Sequence, residues 1–339
     1  MTKKVVISGY YGFGNFGDEA ILSLLIDKLK KMGHDIVVLS SNPRKTSMEY
    51  FVNSINSFDL HQVSGLLKHS DVLISGGGSL LQDVTSLKSL VYYLWVIFSA
   101  LRYKKKVLIF AQGIGPIRNK IAQFITAKML KHCDYVSVRD HKSQKMLEWM
   151  GVDSDLLCDP IFSLDLPKAK SSGVLGVQLR EFATLSDNLL NKLARQIVKE
   201  FHDKKIEIYS FQDELDLHIC RKFMRILNSL NPSIETEVVS VFSVEEIINK
   251  FSRLDYLIAM RFHALVVALK MGVKSIAINY DTKVEKLAHE AGVPILSMSA
   301  IEDLDVLFTE MKLLNQNSLI TFANSNKFDW SRFAKILAQ

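Results

Sequence analysis

The segment Leu257-Ile258-Ala259-Met260-Arg261-Phe262-His263 runs an apolar strand into a guanidinium and an imidazole, and residues 264–269 continue as an apolar run at helical spacing. Arg261 and His263 therefore fall where a buried strand turns into a helix, at the carboxyl edge of a sheet. Open α/β folds bind ligands at that edge, and a helix start there presents unpaired N–H groups. An arginine fork beside a ring that titrates near neutrality suits an anion and a proton transfer. Three further cations fall at equivalent strand exits: Arg139 after 135–138, Arg180 after 176–179, and Lys283 at a helix start just past 275–278. Singly, each reads as a surface cation or a helix-end ion pair. As a set, drawn from both halves of the chain and aimed at one cleft, they call for an anion with several charged oxygens.

Three glycine-bearing loops follow strands of the first half. Gly12, Gly14 and Gly17 satisfy G-x-G-x-x-G between a strand and a helix. A dinucleotide reading fails on two counts. The second strand ends in Ser40-Ser41-Asn42, with no carboxylate for a ribose, and Asp18 and Glu19 open the helix that would receive a pyrophosphate. The loop suits a hydroxyl-rich ligand at Gly14, Asn15 and Asp18, with capping of its own helix as the ordinary role of Asp18. The second loop, Ser75 to Asp83, carries Gly76, Gly77 and Gly78 in a row. Such a run costs conformational entropy and is expected where something approaches the backbone closely. The third, Ala111-Gln112-Gly113-Ile114-Gly115-Pro116, brings Gln112 to the same edge. Together the three form a binding floor.

The elements that position these residues alternate almost throughout the 339 residues. Strand-like runs at 5–8, 36–39, 72–74, 107–110 and 135–138 are separated by helical stretches such as 18–31 and 119–131. Asp159-Pro160 and 167–172 break the pattern and mark a linker. Strands then recur at 174–179, 206–210, 256–259 and 275–278, with helices near 185–201, 244–251 and 283–290. The alternation predicts α/β architecture: two doubly wound, Rossmann-like domains, 1–165 and 173–324, facing an interdomain cleft, with a terminal helix within 325–339.

Composition narrows the function. The chain carries 48% hydrophobic and 23% charged residues, a formal charge of +6 and a pI near 9.0, which lean towards anionic partners. No Lys/Arg block is long enough to argue for nucleic acid. Cys133, Cys158 and Cys220 lack metal-ligand spacing, and their scatter suits a reducing cytosol. The amino terminus enters a strand at once, so no signal peptide is expected. Asp153-Ser154-Asp155 has the spelling of a metal-binding Asp-x-Asp but reads better as a turn, and no metal is expected. Residues 90–101, followed by Arg102-Tyr103-Lys104-Lys105-Lys106, are too few to span a bilayer. A buried helix is the favoured reading and a membrane-surface helix the alternative.

Residues 9–20 (GYYGFGNFGDEA), 76–83 (GGGSLLQD), 111–116 (AQGIGP), 137–140 (SVRD) and 260–265 (MRFHAL) resemble, in order and over nearly the whole chain, the polysaccharide pyruvyl transferases, most closely the CsaB type. The resemblance implies a GT-B-like fold and transfer of pyruvate from phosphoenolpyruvate onto two hydroxyls of a sugar, forming a cyclic ketal. Arg139, His263 and Lys283 match the family's phosphoenolpyruvate positions, Arg261 the arginine of its Arg-x-His motif, and Arg180 a further arginine. It also implies no cofactor beyond the donor substrate. The CsaB type acts on N-acetylmannosamine in lipid-linked precursors of cell-wall polymers that anchor S-layer proteins. A cytoplasmic enzyme working at the inner face of the plasma membrane, with peripheral membrane contact, is the corresponding expectation. The rivals are a GT-B glycosyltransferase using a nucleotide sugar, and a non-catalytic sugar-binding module built on a decayed enzyme.

Overall fold

Apolar runs such as Val5-Val6-Ile7 and Leu257-Ile258-Ala259 have no exposed side chain. They are strands covered on both faces, as parallel sheets require. In the computed structural model, which describes residues 2–84, 86–240, 243–298 and 303–339, the chain divides into two units, Met1–Ser163 with Lys327–Gln339, and Leu164–Asn326.

The first unit begins β1 (Lys4–Ser8), α1 (Phe16–Lys31), β2 (Asp35–Ser40), α2 (Pro43–Tyr50), β3 (Asn53–Asn56), α3 (Leu60–Lys68) and β4 (Val72–Gly76). It continues α4 (Leu87–Arg102), β5 (Lys106–Gln112), α5 (Lys120–Leu130), β6 (Tyr135–Val138), α6 (His141–Trp149) and β7 (Asp155–Leu156). All strands are parallel, in the order β3-β2-β1-β4-β5-β6-β7. Val6 lies between Val37 and Leu73, so the strand order reverses at β1/β4. Helices α3 to α6 pack on one face through Leu67, Leu90, Leu94, Ile97 and Leu147, and α1 and α2 on the other through Ile21, Leu25 and Tyr50.

The second unit contains β8 (Val174–Gln178), α7 (Asp187–Glu200), β9 (Lys205–Ser210), α8 (Asp213–Leu230), β10 (Thr236–Ser240), α9 (Val244–Phe251) and β11 (Leu254–Ala259). It closes with α10 (Phe262–Met271), β12 (Lys274–Asn279), α11 (Thr282–Ala291), β13 (Ile295–Ser297), α12 (Leu304–Leu313) and α13 (Gln316–Ser325). The order is β10-β9-β8-β11-β12-β13, again parallel, with the reversal at β8/β11. Helix α10 is buried from Ala264 through Met271, which explains why its sequence is apolar all round.

The last helix, α14 (Ser331–Ala338), belongs to the first unit. Phe328, Trp330 and Phe333 close on Phe110 of β5 with ring centroids 5.3, 5.3 and 5.0 Å away. The helix is therefore shorter than the 325–339 expected for it, because Phe328 and Trp330 precede it in a non-helical segment packed on the sheet. Asp155 opens β7 and pairs with Arg332. Burial pushes the thiols of Cys133 and Cys220 up to about 12, which disfavours the thiolate form at both.

No helix among the described residues is long and apolar enough to cross a membrane. Of the segment 90–101, Leu90, Leu94 and Ile97 are core residues, whereas Val91 and Phe98 are exposed.

Candidate functional site

In each unit the candidate residues line the carboxyl edge of the sheet, from the point where the strand order reverses, where doubly wound sheets bind ligands, to the neighbouring strands. In the second unit β8 and β11 are neighbours in register, with Val177 opposite Ile258 and Gln178 opposite Ala259. Arg180 and Arg261 therefore leave the sheet side by side. Arg261 is the N-cap residue of α10, and its side chain does not cap the helix. Its backbone N–H donates to Gln178 Oε1 at 2.7 Å. Its guanidinium forks onto Asp216 of α8, Nε to Oδ2 at 2.8 Å and a terminal nitrogen to Oδ1 at 2.6 Å. Asp216 also accepts from the N–H groups of Phe211 and Gln212. Burial pushes the Asp216 carboxyl up, against the pull of Arg261 and the Phe211 N–H. The arginine of the Arg-x-His motif is thus committed to a buried carboxylate, and neither Asp216 nor Gln178 figured among the sequence candidates. A strand-exit guanidinium with little solvent needs a carboxylate, and that need was the one signal pointing to Asp216.

His263 follows as the second residue of α10, partly exposed, its ring edge-on to Phe262 at 5.3 Å. The next strand, β12, delivers Tyr280, and the Arg180 guanidinium stands over its ring at 5.8 Å. Burial pushes the Tyr280 hydroxyl up while Arg261 and Arg180 pull it down, which places all three side chains in one electrostatic neighbourhood. Asp281 caps α11 through the Lys283 N–H at 2.8 Å, and the partly exposed Lys283 is the second residue of that helix. The starts of α10 and α11 thus lie at adjacent strand exits, each with a titratable or cationic side chain at its second position. Two helix N-termini with Arg180, His263 and Lys283 offer the charge complement that an anion requires.

In the first unit the exits of β1, β4, β5 and β6 converge. Asn15, expected at the ligand, accepts from the Gly17 N–H at 3.0 Å and is the N-cap of α1. Asp18 is therefore not the cap. It is buried against the second glycine loop, where a Cβ placed on Gly78 would come 2.3 Å from its Oδ1. Glu19 reaches back to the Gly12 N–H at 2.8 Å and accepts from the Tyr50 hydroxyl at 2.9 Å. Gly14 takes a left-handed turn, with open space where a Cβ would be. At Gly77 a Cβ would meet the Tyr11 hydroxyl at 3.0 Å. Gln112 is fully buried, donating from Nε2 to the carbonyl and the hydroxyl of Ser75 at 2.9 Å each.

Arg139 binds Asp159 Oδ2 at 2.5 Å and reaches Ser79 Oγ at 3.4 Å. Burial alone would lower its pKa, but Asp159 outweighs it and holds the guanidinium above its ordinary value. Asp159, read as part of a linker, is its principal partner. The first unit thus gathers Asp18, Gly77, Gly78, Gln112 and Arg139. It adds Tyr11, whose hydroxyl burial and nearby Asp18 and Glu19 keep protonated. Tyr11 Oη, Gln112 Oε1 and Arg139 Nε are buried without a hydrogen-bond partner. Two donors and an acceptor beneath glycine loops match groups that both donate and accept, as hydroxyls do. Replacing Gly78 by alanine should put a side chain at φ +45° and against Asp18. The expected loss is about 1–2 kcal/mol of stability, with a raised KM for a hydroxylic acceptor in steady-state kinetics.

Among the described residues no group of three or more His, Cys, Asp or Glu could hold a metal ion.

A family model described as Polysaccharide pyruvyl transferase matches residues 15–282. No curated relative matches this sequence. Among solved structures the chain is similar to a putative UDP-N-acetylglucosamine 2-epimerase from Listeria monocytogenes, with a TM-score of 0.67 at 12% identity over 100% of this chain and 95% of that one. It is similar to a glycosyltransferase from Rickettsia africae, with a TM-score of 0.66 at 12% identity over 99% of each chain. It is also similar to HepE from Anabaena in complex with UDP and glucose, with a TM-score of 0.62 at 12% identity over 99% of each. At such identities the likeness shows the fold, two GT-B-like parallel-sheet domains.

Proposed function

Since this chain belongs to the polysaccharide pyruvyl transferase family, we propose that it moves the pyruvyl group of phosphoenolpyruvate onto two hydroxyls of a sugar, with release of phosphate. The observation that supports this reading is the placement of Arg180, His263 and Lys283, with the starts of α10 and α11, at adjacent strand exits. Phosphoenolpyruvate presents a carboxylate and a phosphate, and this set offers a fork, a point charge, a ring and two helix ends. Arg261 is a positioning residue, held by Asp216 so that the turn into α10 aims His263. The first unit, with Tyr11, Asp18 and Gln112 beneath its glycine loops, takes the sugar, and Arg139 on Asp159 orders that floor.

In the reaction His263 gives a proton to the methylene carbon of the enol, and cationic character builds at C2. One sugar hydroxyl adds there and loses its proton. The C2–O bond to phosphate then breaks, with the leaving charge held by Arg180 and Lys283. The second hydroxyl adds to the resulting oxocarbenium ion and loses its proton, which closes the ketal. A donor placed on developing charge in this way contributes about 3–4 kcal/mol.

The resemblance to the CsaB type makes an N-acetylmannosamine residue of a lipid-linked cell-wall precursor the proposed acceptor. Sugar acceptors incubated with phosphoenolpyruvate should gain the ketal mass with stoichiometric phosphate release. Release of UDP from a UDP-sugar, with no ketal, would instead mark a nucleotide-sugar glycosyltransferase.

A further inference from the structure

From Val84 to Cys133 the chain has nine lysines and arginines and no aspartate or glutamate. The remainder, 33 basic against 36 acidic residues, is net −3, so the whole positive balance of +6 resides in this stretch. It contains α4 and α5, which cover the same face of the first sheet. Their core sides hold Leu90, Leu94, Ile97, Ala122 and Leu130. Their outer sides are also apolar: Val91 is 57% exposed, Phe98 47%, Ile121 71% and Phe124 69%. Both helices thus turn large hydrophobic side chains to the outside, where a helix on a globular domain ordinarily carries charge. Lys88 and Lys120 stand at the starts of these helices, and Arg102, Lys105 and Lys128 at or near their ends.

We propose that this outer face of α4 and α5 docks on an anionic bilayer, with Val91, Phe98, Ile121 and Phe124 entering the headgroup region and the flanking cations facing lipid phosphates. Exposed aliphatic and aromatic side chains bordered by lysine and arginine, with no carboxylate on either helix, are complementary to such a surface. A second feature ties the face to the site. Tyr10 stacks on Phe13 at 4.1 Å, Phe13 meets Phe58 at 6.3 Å, Phe58 meets Tyr92 at 6.4 Å, and Tyr92 meets Trp95 at 6.5 Å. This aromatic strip joins the first glycine loop to α4. It gives the apolar tail of a lipid-linked acceptor a track from the bilayer to the sugar floor, an inference that rests on the reading of the reaction given above.

The test uses the full chain and co-sedimentation with phosphatidylcholine vesicles, with and without phosphatidylglycerol. The charge variant is Lys88→Glu with Lys120→Glu; acidic residues favour helix starts, so both helices should keep their stability. The apolar variant is Ile121→Ser with Phe124→Ser. Wild type should sediment with the anionic vesicles only, and each variant should bind at least about tenfold more weakly. Phosphate release with a water-soluble acceptor should be unchanged in both. Wild type that ignores phosphatidylglycerol, or variants that bind like wild type, would overturn the docking face. So would an apolar variant that turns a dimer into a monomer without altering sedimentation. The expected sedimentation without any phosphate release would retain the docking face and remove the reaction instead.

Discussion

Replacing His263 by alanine should lower turnover by roughly a hundredfold or more, while phosphoenolpyruvate still binds. The expectation comes from where the ring stands. His263 is the second residue of α10, partly exposed, and the helix is anchored by the buried run from Ala264 to Met271, which the substitution leaves intact. Arg180, Lys283 and both helix starts remain to hold the anion, so ground-state binding is largely preserved. What disappears is the proton for the methylene carbon. Such a change lowers kcat and kcat/KM together and leaves KM nearly constant. Lys283→Ala is the useful contrast, because loss of a point charge on the bound anion should raise KM as well. Steady-state phosphate release over a range of phosphoenolpyruvate concentrations separates the two patterns. Near wild-type turnover for the His263 variant across neutral pH would remove the histidine from the chemistry.

The interior of the fold was legible because its signal is local. The apolar runs at 5–8, 72–74 and 256–259 lie in central strands, and the strand-to-helix turn at Arg261 and His263 is where the motif placed it. The border strands were not legible. Asn53–Asn56 and Thr236–Ser240 are for the most part only partly buried, and one-sided burial over so few residues leaves little periodicity to read. The candidate residues could be read as charged or polar groups at strand exits, but their partners could not. Asp216 is 45 positions from Arg261 and sits in the first turn of an amphipathic helix, where an acidic residue is ordinary. Asp159 resembled part of a linker, because Asp-Pro is a break signal whatever its carboxylate touches. The cap of α1 went to Asn15 rather than Asp18 because the helix begins at Phe16, which puts Asp18 inside the first turn with its carboxylate against the second glycine loop. Pairing across the chain depends on the tertiary fold, and no spacing rule reports it.

The strongest consequence of such pairing concerns stability. Asp216→Ala should cost about 3–5 kcal/mol, because it strips the buried Arg261 guanidinium of its carboxylate contacts at 2.6 and 2.8 Å and leaves the N–H groups of Phe211 and Gln212 without their acceptor. A chain of two units need not unfold in one step, so the effect is best read from hydrogen exchange of amides in β8 and β11, the strands flanking the pair. Those protection factors should fall and amides of the first sheet should keep theirs. Removing both partners, as in Asp216→Leu with Arg261→Met, should return part of the protection, since no buried charge is left unpaired, while the N–H groups of Phe211 and Gln212 still lack their acceptor. The double variant also decides what Arg261 does. The Arg261 backbone N–H still donates to Gln178, so the start of α10 is kept. If the guanidinium only positions the turn, the double variant should retain more activity than His263→Ala. A well-protected double variant as inactive as His263→Ala would place the guanidinium on the substrate.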